Sequence, residues 1–295
     1  MPKVYDKVTP HTKPDWLKIR LPRGEQFAGV GRIAREHGLH TICSSGLCPN
    51  KSECWSARTA TFMIMGERCS RSCRFCATAT GGMLPLDSDE PARVARSVSL
   101  MELHHAVVTS VTRDDLADGG AAHWASTVRA IRQANPHTSI ELLIPDMDGR
   151  ADLLDVILAA GPDIVGHNIE TVGRLTPSVR SRARYDVSLR ALAHISASGA
   201  IAKSGIMLGL GESDDEVMQA LADLRAAGVR IVTLGQYLRP TLKHLPVERY
   251  VTPEEFDTLR DKALALGFDY VASGPLVRSS YKAHEALEAV KIKGL

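Results

Sequence analysis

The alternation of β-rich and helical stretches is the feature that most restricts how this 295-residue chain can fold. Runs rich in apolar and β-branched residues predict six strands, at 60–65, 105–111, 139–145, 163–169, 201–208 and 230–238. Amphipathic stretches predict helices at 91–103, 122–135, 150–160, 186–199 and 213–228. Serial β-α units indicate a parallel sheet with right-handed crossovers. Six units are fewer than the eight of a complete barrel, so we expect an α/β fold with a partial (β/α)6 TIM-like barrel.

Local end signals support several of these helices. Ser213 and Glu216 have the spacing of a capping box, and Gly228 stands where that helix should end. A further helix is predicted to open at Thr252, with Pro253 and Glu255 in its first turn, and to end near residue 267.

Composition narrows the class of protein. Lys and Arg number 36 and Asp and Glu 34, for a net charge of +2, and 44% of residues are hydrophobic. These are ordinary values for a globular protein, and the near-neutral balance argues against a dedicated nucleic-acid binder. No apolar run reaches the about 20 residues of a membrane span, and residues 1–22 lack the apolar core of a secretory signal. We therefore expect a cytoplasmic protein that uses neither nucleic acid nor membrane.

All six cysteines lie between residues 43 and 76. They form two triads, Cys-x4-Cys-x5-Cys and Cys-x3-Cys-x2-Cys, made of Cys43, Cys48 and Cys54, and of Cys69, Cys73 and Cys76. Disulfides are uncommon in the cytosol, so the clustering points to metal. Neither triad has the paired spacing of zinc sites, whereas three cysteines in one loop suit an iron–sulfur cubane with one open iron. A zinc site, or one four-cysteine site with two spare thiols, remains the alternative.

The second triad directly follows the first predicted strand, and active sites of such barrels lie at the carboxyl ends of the strands. Other strands end in polar or glycine residues that should meet at the same place. These are Thr109, Ser110, Thr112, Arg113, His167, Asn168, Glu170, Gly209, Gly211, Glu212, Gln236 and Tyr237. His167 is the one histidine that we expect near the site.

At these residues the chain resembles the lipoyl synthase family of radical S-adenosylmethionine (SAM) enzymes. The Cys-x3-Cys-x2-Cys triad, with Phe75 before its last cysteine, is similar to the radical SAM signature, and the first triad is similar to that family's own second signature. Further similar segments are 59–69, 109–121, 167–175, 203–212, 234–240, 248–256 and 272–281. The resemblance runs from about Lys13 to Tyr281; residues 77–79 and Gly166 depart from it.

The resemblance implies a reaction and its cofactors. It implies that two sulfur atoms replace hydrogens on C6 and C8 of a protein-bound octanoyl-lysine, to give lipoyl-lysine. It implies one 4Fe–4S cluster on Cys69, Cys73 and Cys76, whose open iron binds SAM and yields a 5′-deoxyadenosyl radical. It implies a second, auxiliary 4Fe–4S cluster on Cys43, Cys48, Cys54 and Ser280 of the Arg-Ser-Ser-Tyr motif, consumed as the sulfur donor.

The resemblance also implies a set of SAM contacts. They are Phe75, Ser110, Thr112, Asn168, Glu170, Arg182, Gly209, Glu212, Gln236 and Tyr237. Asn168 and Glu170 suit ribose hydroxyls, and Arg182 suits the SAM carboxylate as a charged donor. Arg113 and Asp114 are expected either to take part in the site or to form an ion pair that only shapes its opening.

Domains and partners complete the expectations. Residues 1–58 would form an N-terminal extension with the auxiliary cluster loop, 59–267 the barrel, and 268–295 a C-terminal segment with the Arg-Ser-Ser-Tyr motif. The two extensions are expected to cover the barrel mouth. The implied partners are octanoylated lipoyl-carrier domains (2-oxoacid dehydrogenase E2 subunits and the glycine cleavage H protein), an electron donor of flavodoxin or ferredoxin type, and an iron–sulfur carrier for cluster repair. The sequence reveals no basic patch large enough to predict a docking surface.

Two rival functions stay open at this point. One is another radical SAM enzyme whose auxiliary cluster only shuttles electrons, and the other is a non-catalytic iron–sulfur or zinc sensor.

Overall fold

The computed structural model describes residues 13–18, 31–33, 36, 40–42, 48, 50–56, 60–281 and 283–293. The strands are β1 His40–Thr41, β2 Thr61–Ile64, β3 Arg68–Cys69, β4 Ala79–Thr80, β5 His105–Ser110, β6 Ser139–Leu143, β7 Ile164–Gly166, β8 Ile201–Leu208, β9 Ile231–Gln236 and β10 Tyr270–Gly274. The α-helices are α1 Lys51–Ser56, α2 Glu90–Leu100, α3 Ala121–Ala134, α4 Ala151–Leu158, α5 Thr176–Val179, α6 Tyr185–Ala197, α7 Asp214–Ala226, α8 Pro253–Ala265 and α9 Ala283–Lys293. Short 3-10 helices lie at Asp15–Leu17 and Met147–Gly149.

Eight strands form one sheet in the order β1-β2-β5-β6-β7-β8-β9-β10. From β2 to β10 every neighbouring pair is parallel, and only β1 runs antiparallel, on the edge beside β2. Within the described residues the two edges are not paired with each other, so the sheet does not close. The predicted partial barrel is confirmed.

All six predicted strands are present, and the predicted helices form within a few residues of their expected bounds. Both predicted capping boxes are formed, by Ser213 with Glu216 and by Thr252 with Glu255. Strand β10 was not predicted from the sequence. It pairs with β9 in parallel, yet Val271 and Ala272 are its only buried residues, so its apolar signal is short. The expected boundary at residue 268 therefore precedes a strand of the main sheet.

Helices α2, α3, α4, α6, α7 and α8 cover the outer face of the sheet, and one large apolar core joins the two layers. Trp124 and Phe256 are among its largest fully buried side chains. Strands such as β5 are buried almost throughout because a parallel sheet is covered on both faces.

The C-terminal segment lies beside the open edges of the sheet. The Thr61 hydroxyl of β2 donates to Ser280 Oγ at 3.0 Å, and Asn50 Nδ2 donates to the Leu276 carbonyl at 2.6 Å. Helix α9 then packs on Ile164 and Ile231, the first residues of β7 and β9. The tail thus passes the carboxyl ends of the strands, hereafter the mouth, where Val277, Arg278 and Ser279 line a cavity, and then runs to the amino ends of the strands. In the described residues, none of the helices is long and apolar enough to span a bilayer.

Candidate active site

A cavity of about 310 Å3 opens at the mouth, where the strand ends converge. Its volume falls in the range of small-molecule sites. Its polar and sulfur-bearing lining includes Cys69, Arg71, Cys73, Cys76, Thr78, Thr109, Ser110, Thr112, His167, Asn168, Glu170, Arg180, Thr233, Arg278 and Ser279, with Phe75 and several apolar side chains. The predicted convergence of strand-end residues on one place is therefore observed for about half of them.

All three cysteines of the second triad line this cavity. Cys69 ends β3, and its Sγ accepts backbone hydrogen bonds from Arg71 at 3.4 Å and from Thr112 at 3.3 Å. A turn between Cys73 and Cys76 keeps the other two thiols on the same loop. Hydrogen bonds to the sulfurs of a cluster stabilise its charge.

The three thiols form a site that suits bound metal. Burial raises the pKa of the Cys76 thiol, and the nearby Cys73 and Cys69 raise it further. Three thiolates therefore need positive charge beside them, which an iron–sulfur cluster supplies. In the described part of the chain, no three His, Cys, Asp or Glu side chains lie close enough to hold a single metal ion. The donor set fits a cluster held by three cysteines.

Arg71 fixes the loop between Cys69 and Cys73. Its side chain is 5% exposed and lies within 3.3 Å of carboxylate oxygens of Asp114, Asp146 and Asp148. Although burial opposes it, Arg71 is the main cause that lowers the pKa of Asp114, so this carboxylate stays charged. Three loops that carry site residues are thereby joined by one guanidinium.

Of the two alternatives for Arg113 and Asp114, the ion pair between them is wrong. Arg113 pairs with Asp115 at 2.8 Å, and Asp114 faces Arg71. Adjacent carboxylates point in opposite directions along this loop, so sequence proximity alone does not choose between them.

Asn168 and Glu170 line the same cavity as the cysteines. The backbone of Glu170 has a positive φ of 66° and bridges to β8 through bonds with Gly205 and Met207. A Cβ on Gly205 would lie 2.7 Å from Thr233 Oγ1 and 2.9 Å from Asn168 Oδ1, so only glycine fits there. Burial raises the pKa of Glu170. A ligand hydroxyl that donates to this carboxylate would compensate for its lost solvation.

Two polar atoms of the cavity wall, Ser110 Oγ and Arg180 Nε, are buried and find no hydrogen-bond partner among the described residues. Buried polar atoms are normally paired, and a polar ligand bound in the cavity would supply the missing partners of these two atoms. Arg180 was missed by the sequence analysis, which chose Arg182. The Arg182 side chain is 56% exposed and faces Asp148 and Asp114 at 3.3 and 3.8 Å, outside the cavity lining.

His167 lies in the wall, as expected. Its Nδ1 lies 2.9 Å from the Ile144 carbonyl, and its Nε2 lies 3.0 Å from Ser188 Oγ. Burial first, and then the charge of Arg180, lowers its pKa to about 4. His167 is therefore neutral at physiological pH and serves the wall as a hydrogen-bonding group.

Besides Arg182, four predicted SAM contacts lie outside the cavity lining; they are Gly209, Glu212, Gln236 and Tyr237. The Glu212 carboxylate accepts the backbone N–H groups of Gly209 and Leu210. The Gln236 amide is bonded to the backbone at both ends, and the Tyr237 hydroxyl donates to the Leu245 carbonyl at 2.9 Å. These side chains hold the loops behind the wall.

The first triad lies partly outside the described residues, since Cys43 is not among them. Cys48 and Cys54 are half-buried against the core. The Arg-Ser-Ser-Tyr motif lies beside them, because the Tyr281 hydroxyl donates to Glu53 at 3.2 Å. Of the two serines, Ser279 lines the cavity, whereas Ser280 accepts the hydrogen bond from Thr61.

Comparisons with known proteins agree with this geometry. The family model of the Radical SAM superfamily matches residues 63–224. The lipoyl synthase of Parabacteroides distasonis is 58% identical over 92% of this chain and 97% of its own length. The lipoyl synthases of Porphyromonas gingivalis and Deinococcus radiodurans are 56% and 54% identical, over 93% and 92% of this chain and 98% and 84% of their own lengths.

Solved structures agree on the fold. Methylornithine synthase superposes with a TM-score of 0.57 at 14% identity, covering 92% of this chain and 90% of that one. A maturase of the [FeFe]-hydrogenase superposes with a TM-score of 0.55 at 12% identity, covering 90% and 75%. At such identities the likeness concerns the fold alone.

Proposed function

The chain belongs to the lipoyl synthase family of the Radical SAM superfamily, and from this premise we propose that it is a sulfurtransferase that makes lipoyl groups on carrier proteins. It inserts two sulfur atoms, at C6 and C8, into the octanoyl chain of a carrier-bound octanoyl-lysine. The observation that carries the proposal is the meeting of three cysteine thiols with unpaired polar groups around one cavity.

The substrate demands radical chemistry. The C–H bonds of an octanoyl chain are unactivated, so no side-chain acid or base of the cavity removes their hydrogens. When bound, a 4Fe–4S cluster supplies the electron that cleaves SAM and so provides the radical that these bonds require. The protein's own part is to hold the cofactors, to orient the octanoyl chain and to exclude water from the cavity.

Each role falls to particular residues. Cys69, Cys73 and Cys76 would hold three irons and leave the fourth for SAM. We assign SAM binding to the predicted contacts that line the cavity, which are Phe75, Ser110, Thr112, Asn168 and Glu170. Arg180, with its unpaired Nε, is a better donor to an anionic group of SAM than Arg182.

The first triad would hold the auxiliary cluster that is consumed as the sulfur source, on Cys43, Cys48, Cys54 and Ser280. The contacts of the tail with Asn50 and Glu53 support it, because they bring the Arg-Ser-Ser-Tyr motif next to this triad. An oxygen ligand matches iron less well than a thiolate does, which makes Ser280 a suitable release point for one iron.

The remaining expectations stay part of the proposal. A flavodoxin or ferredoxin-type donor would reduce the first cluster, and an iron–sulfur carrier would rebuild the second. The chain would work in the cytoplasm. The division into a 1–58 extension, a 59–267 barrel and a 268–295 segment also stays a prediction.

The test is an anaerobic incubation with SAM, dithionite and an octanoyl-lysyl peptide, followed by mass analysis of the peptide. We expect about one lipoyl group per chain, with two SAM cleaved for each. Replacing Cys43, Cys48 and Cys54 by Ala should keep SAM cleavage and abolish sulfur insertion, whereas replacing Cys69, Cys73 and Cys76 should abolish both.

The same assay separates the rival functions. Many turnovers without added sulfur would identify an auxiliary cluster that only shuttles electrons. Bound metal without any SAM cleavage would identify a sensor, and one or two zinc ions per chain would contradict the iron–sulfur assignment.

A further inference from the structure

Three segments of the chain surround the mouth and are strongly basic. They are the cysteine loop 66–82, the segment 172–184 and the segment 239–245, which together are called the rim. The rim holds nine Arg and Lys residues and one acidic residue, Glu67, whereas the whole chain holds 36 and 34. Positive charge is therefore concentrated here in a nearly neutral protein.

Arg74 joins the three segments into one surface. Its backbone N–H donates to the Val179 carbonyl at 2.9 Å, and its guanidinium donates to the Ser178 carbonyl at 3.2 Å. On the other side, the Leu245 N–H donates to the Arg74 carbonyl at 3.2 Å. Residues far apart in sequence thus form one continuous rim.

Part of this charge is neutralised within the fold. Arg71, Arg174, Arg182 and Arg184 face carboxylates, and Arg180 is buried. The other cations have no carboxylate within ion-pair distance among the described residues; they are Arg68, Arg74, Arg239 and Lys243. The rim therefore presents four uncompensated positive charges beside the opening.

The rim also carries an exposed apolar side chain. Leu242 is 86% exposed, the highest value among the large apolar side chains in the described part of the chain. It lies in a turn held by Arg239, which donates to the carbonyls of Leu242 and His244. Held outward between Arg239 and Lys243, the Leu242 side chain is accessible to a protein that docks against the rim.

We propose that the rim is the docking surface for the lipoyl-carrier domain, and that the carrier meets it with an acidic surface around its octanoyl-lysine. This inference rests on the proposed function. The octanoyl chain must reach the cavity through the mouth on a single lysine side chain, so the folded carrier must come against the rim. Unpaired cations there favour a carrier with carboxylates at that place and steer its approach.

The test introduces negative charge on the rim at residues that lie outside the catalytic machinery. Lys243→Glu and Leu242→Asp alter exposed side chains of the 241–244 turn. The matched control is Lys262→Glu, which reverses an exposed lysine in the last turn of α8, near the opposite end of the barrel. Each protein is assayed in single turnover, with dithionite as reductant, on an octanoylated carrier domain and on a short uncharged octanoyl-lysyl peptide.

For the carrier, we expect Lys243→Glu to raise the concentration at half-maximal rate by about fivefold, because an exposed ion pair is lost and repulsion replaces it. Leu242→Asp should have an effect of similar size. The maximal rate, the rate with the peptide and the control variant should stay at wild-type values. Raising the salt concentration should bring wild type and Lys243→Glu together, because salt screens exposed charges.

Other outcomes would overturn the inference. An equal defect with carrier and peptide would mean that the turn supports the cavity and not docking. A defect seen only when a protein electron donor replaces dithionite would assign the rim to that donor. If wild-type enzyme modified neither substrate, the proposed function itself would fail. If wild type modified both substrates and Lys243→Glu left the carrier response unchanged, only the docking inference would fail.

Discussion

Among the described residues, one ion network lies at the mouth of the barrel and another at its base, and they differ in what they join. At the mouth, Arg71 of the cysteine loop pairs with carboxylates of two other loops, Asp114 on one and Asp146 and Asp148 on the other. At the base, Lys203 Nζ lies 2.6 Å from Glu141 Oε1, and His105 Nε2 lies 3.5 Å from Glu141 Oε2. The base residues belong to the strands β8, β6 and β5.

Exposure separates the two networks further. The base side chains are all at most 3% exposed, whereas Asp148 at the mouth is 52% exposed. Burial alone would raise the pKa of Glu141, but the charges and hydrogen bonds of Lys203 and His105 together outweigh it, so the pKa is lowered. At the base, water therefore cannot solvate a charge that has lost its partner, whereas at the mouth it can. We infer that the base holds the sheet together and that the mouth sets the position of the cysteine loop.

The largest expected effect comes from breaking the base. Lys203→Met should lower the free energy of unfolding by about 4 kcal/mol, because it leaves a buried carboxylate without its charge partner. Chemical unfolding of anaerobically prepared protein measures this. Adding Glu141→Leu should recover most of the loss, since an apolar pair needs no solvation. A stability loss below about 1 kcal/mol for Lys203→Met would show that water reaches this end.

The next effect concerns pH at the mouth. The folded-state pKa of His167, about 4, lies below its ordinary 6.5, so the unfolded chain binds the proton more tightly. Protonation of His167 in the unfolded chain therefore lowers the free energy of unfolding as the pH falls from 6.5 toward 4. The total loss is about 3 kcal/mol, and none of it is present above pH 6.5. His167→Gln should flatten the dependence of unfolding free energy on pH in this window. An unchanged slope would mean that other groups titrate there.

A smaller effect is expected from Arg71→Lys, which keeps the charge and loses the planar fork. Arg71 reaches the three carboxylates with three separate nitrogens, Nε, Nη1 and Nη2, whereas lysine has one nitrogen. The loop should therefore loosen and SAM cleavage should slow by about tenfold, with about 1 kcal/mol lost in stability. The control is Arg150→Lys, at an exposed pair with Asp152. Equal activity of the two variants would show that the mouth network does not position the cysteines.

An effect of similar size on stability, with a smaller one expected on SAM cleavage, tests the tail that passes from the mouth to the base of the barrel. Ser280→Ala removes the acceptor of the Thr61 hydroxyl and should cost about 1 kcal/mol. It should also lower the iron content, whereas Ser279→Ala should leave the iron in place. Ser280→Cys should keep the cluster and slow sulfur transfer, because a thiolate holds iron more firmly. A larger iron loss from Ser279→Ala would assign the ligand to Ser279.

The sequence determined the elements of the barrel and the identity of its chemistry. The period of the apolar residues and the capping residues reflect interactions between neighbours in the sequence. The six strands and their helices were therefore predicted near their observed bounds. The spacing of Cys69, Cys73 and Cys76 within one loop fixed which residues share a site. Strand β10 was missed because an edge strand with two buried residues lacks a clear apolar pattern.

Only the tertiary structure decided which polar side chains face the cavity. Arg180 and Arg182 differ by two positions, and the carboxylates of Asp114 and Asp148 on other loops hold Arg182 at the rim. Glu212, Gln236 and Tyr237 are occupied by backbone groups that come near only in the folded chain. The basic rim likewise combines three segments that are distant in sequence. Secondary structure depends on residues that are neighbours in the sequence, whereas the direction of a side chain depends on partners that folding brings near it.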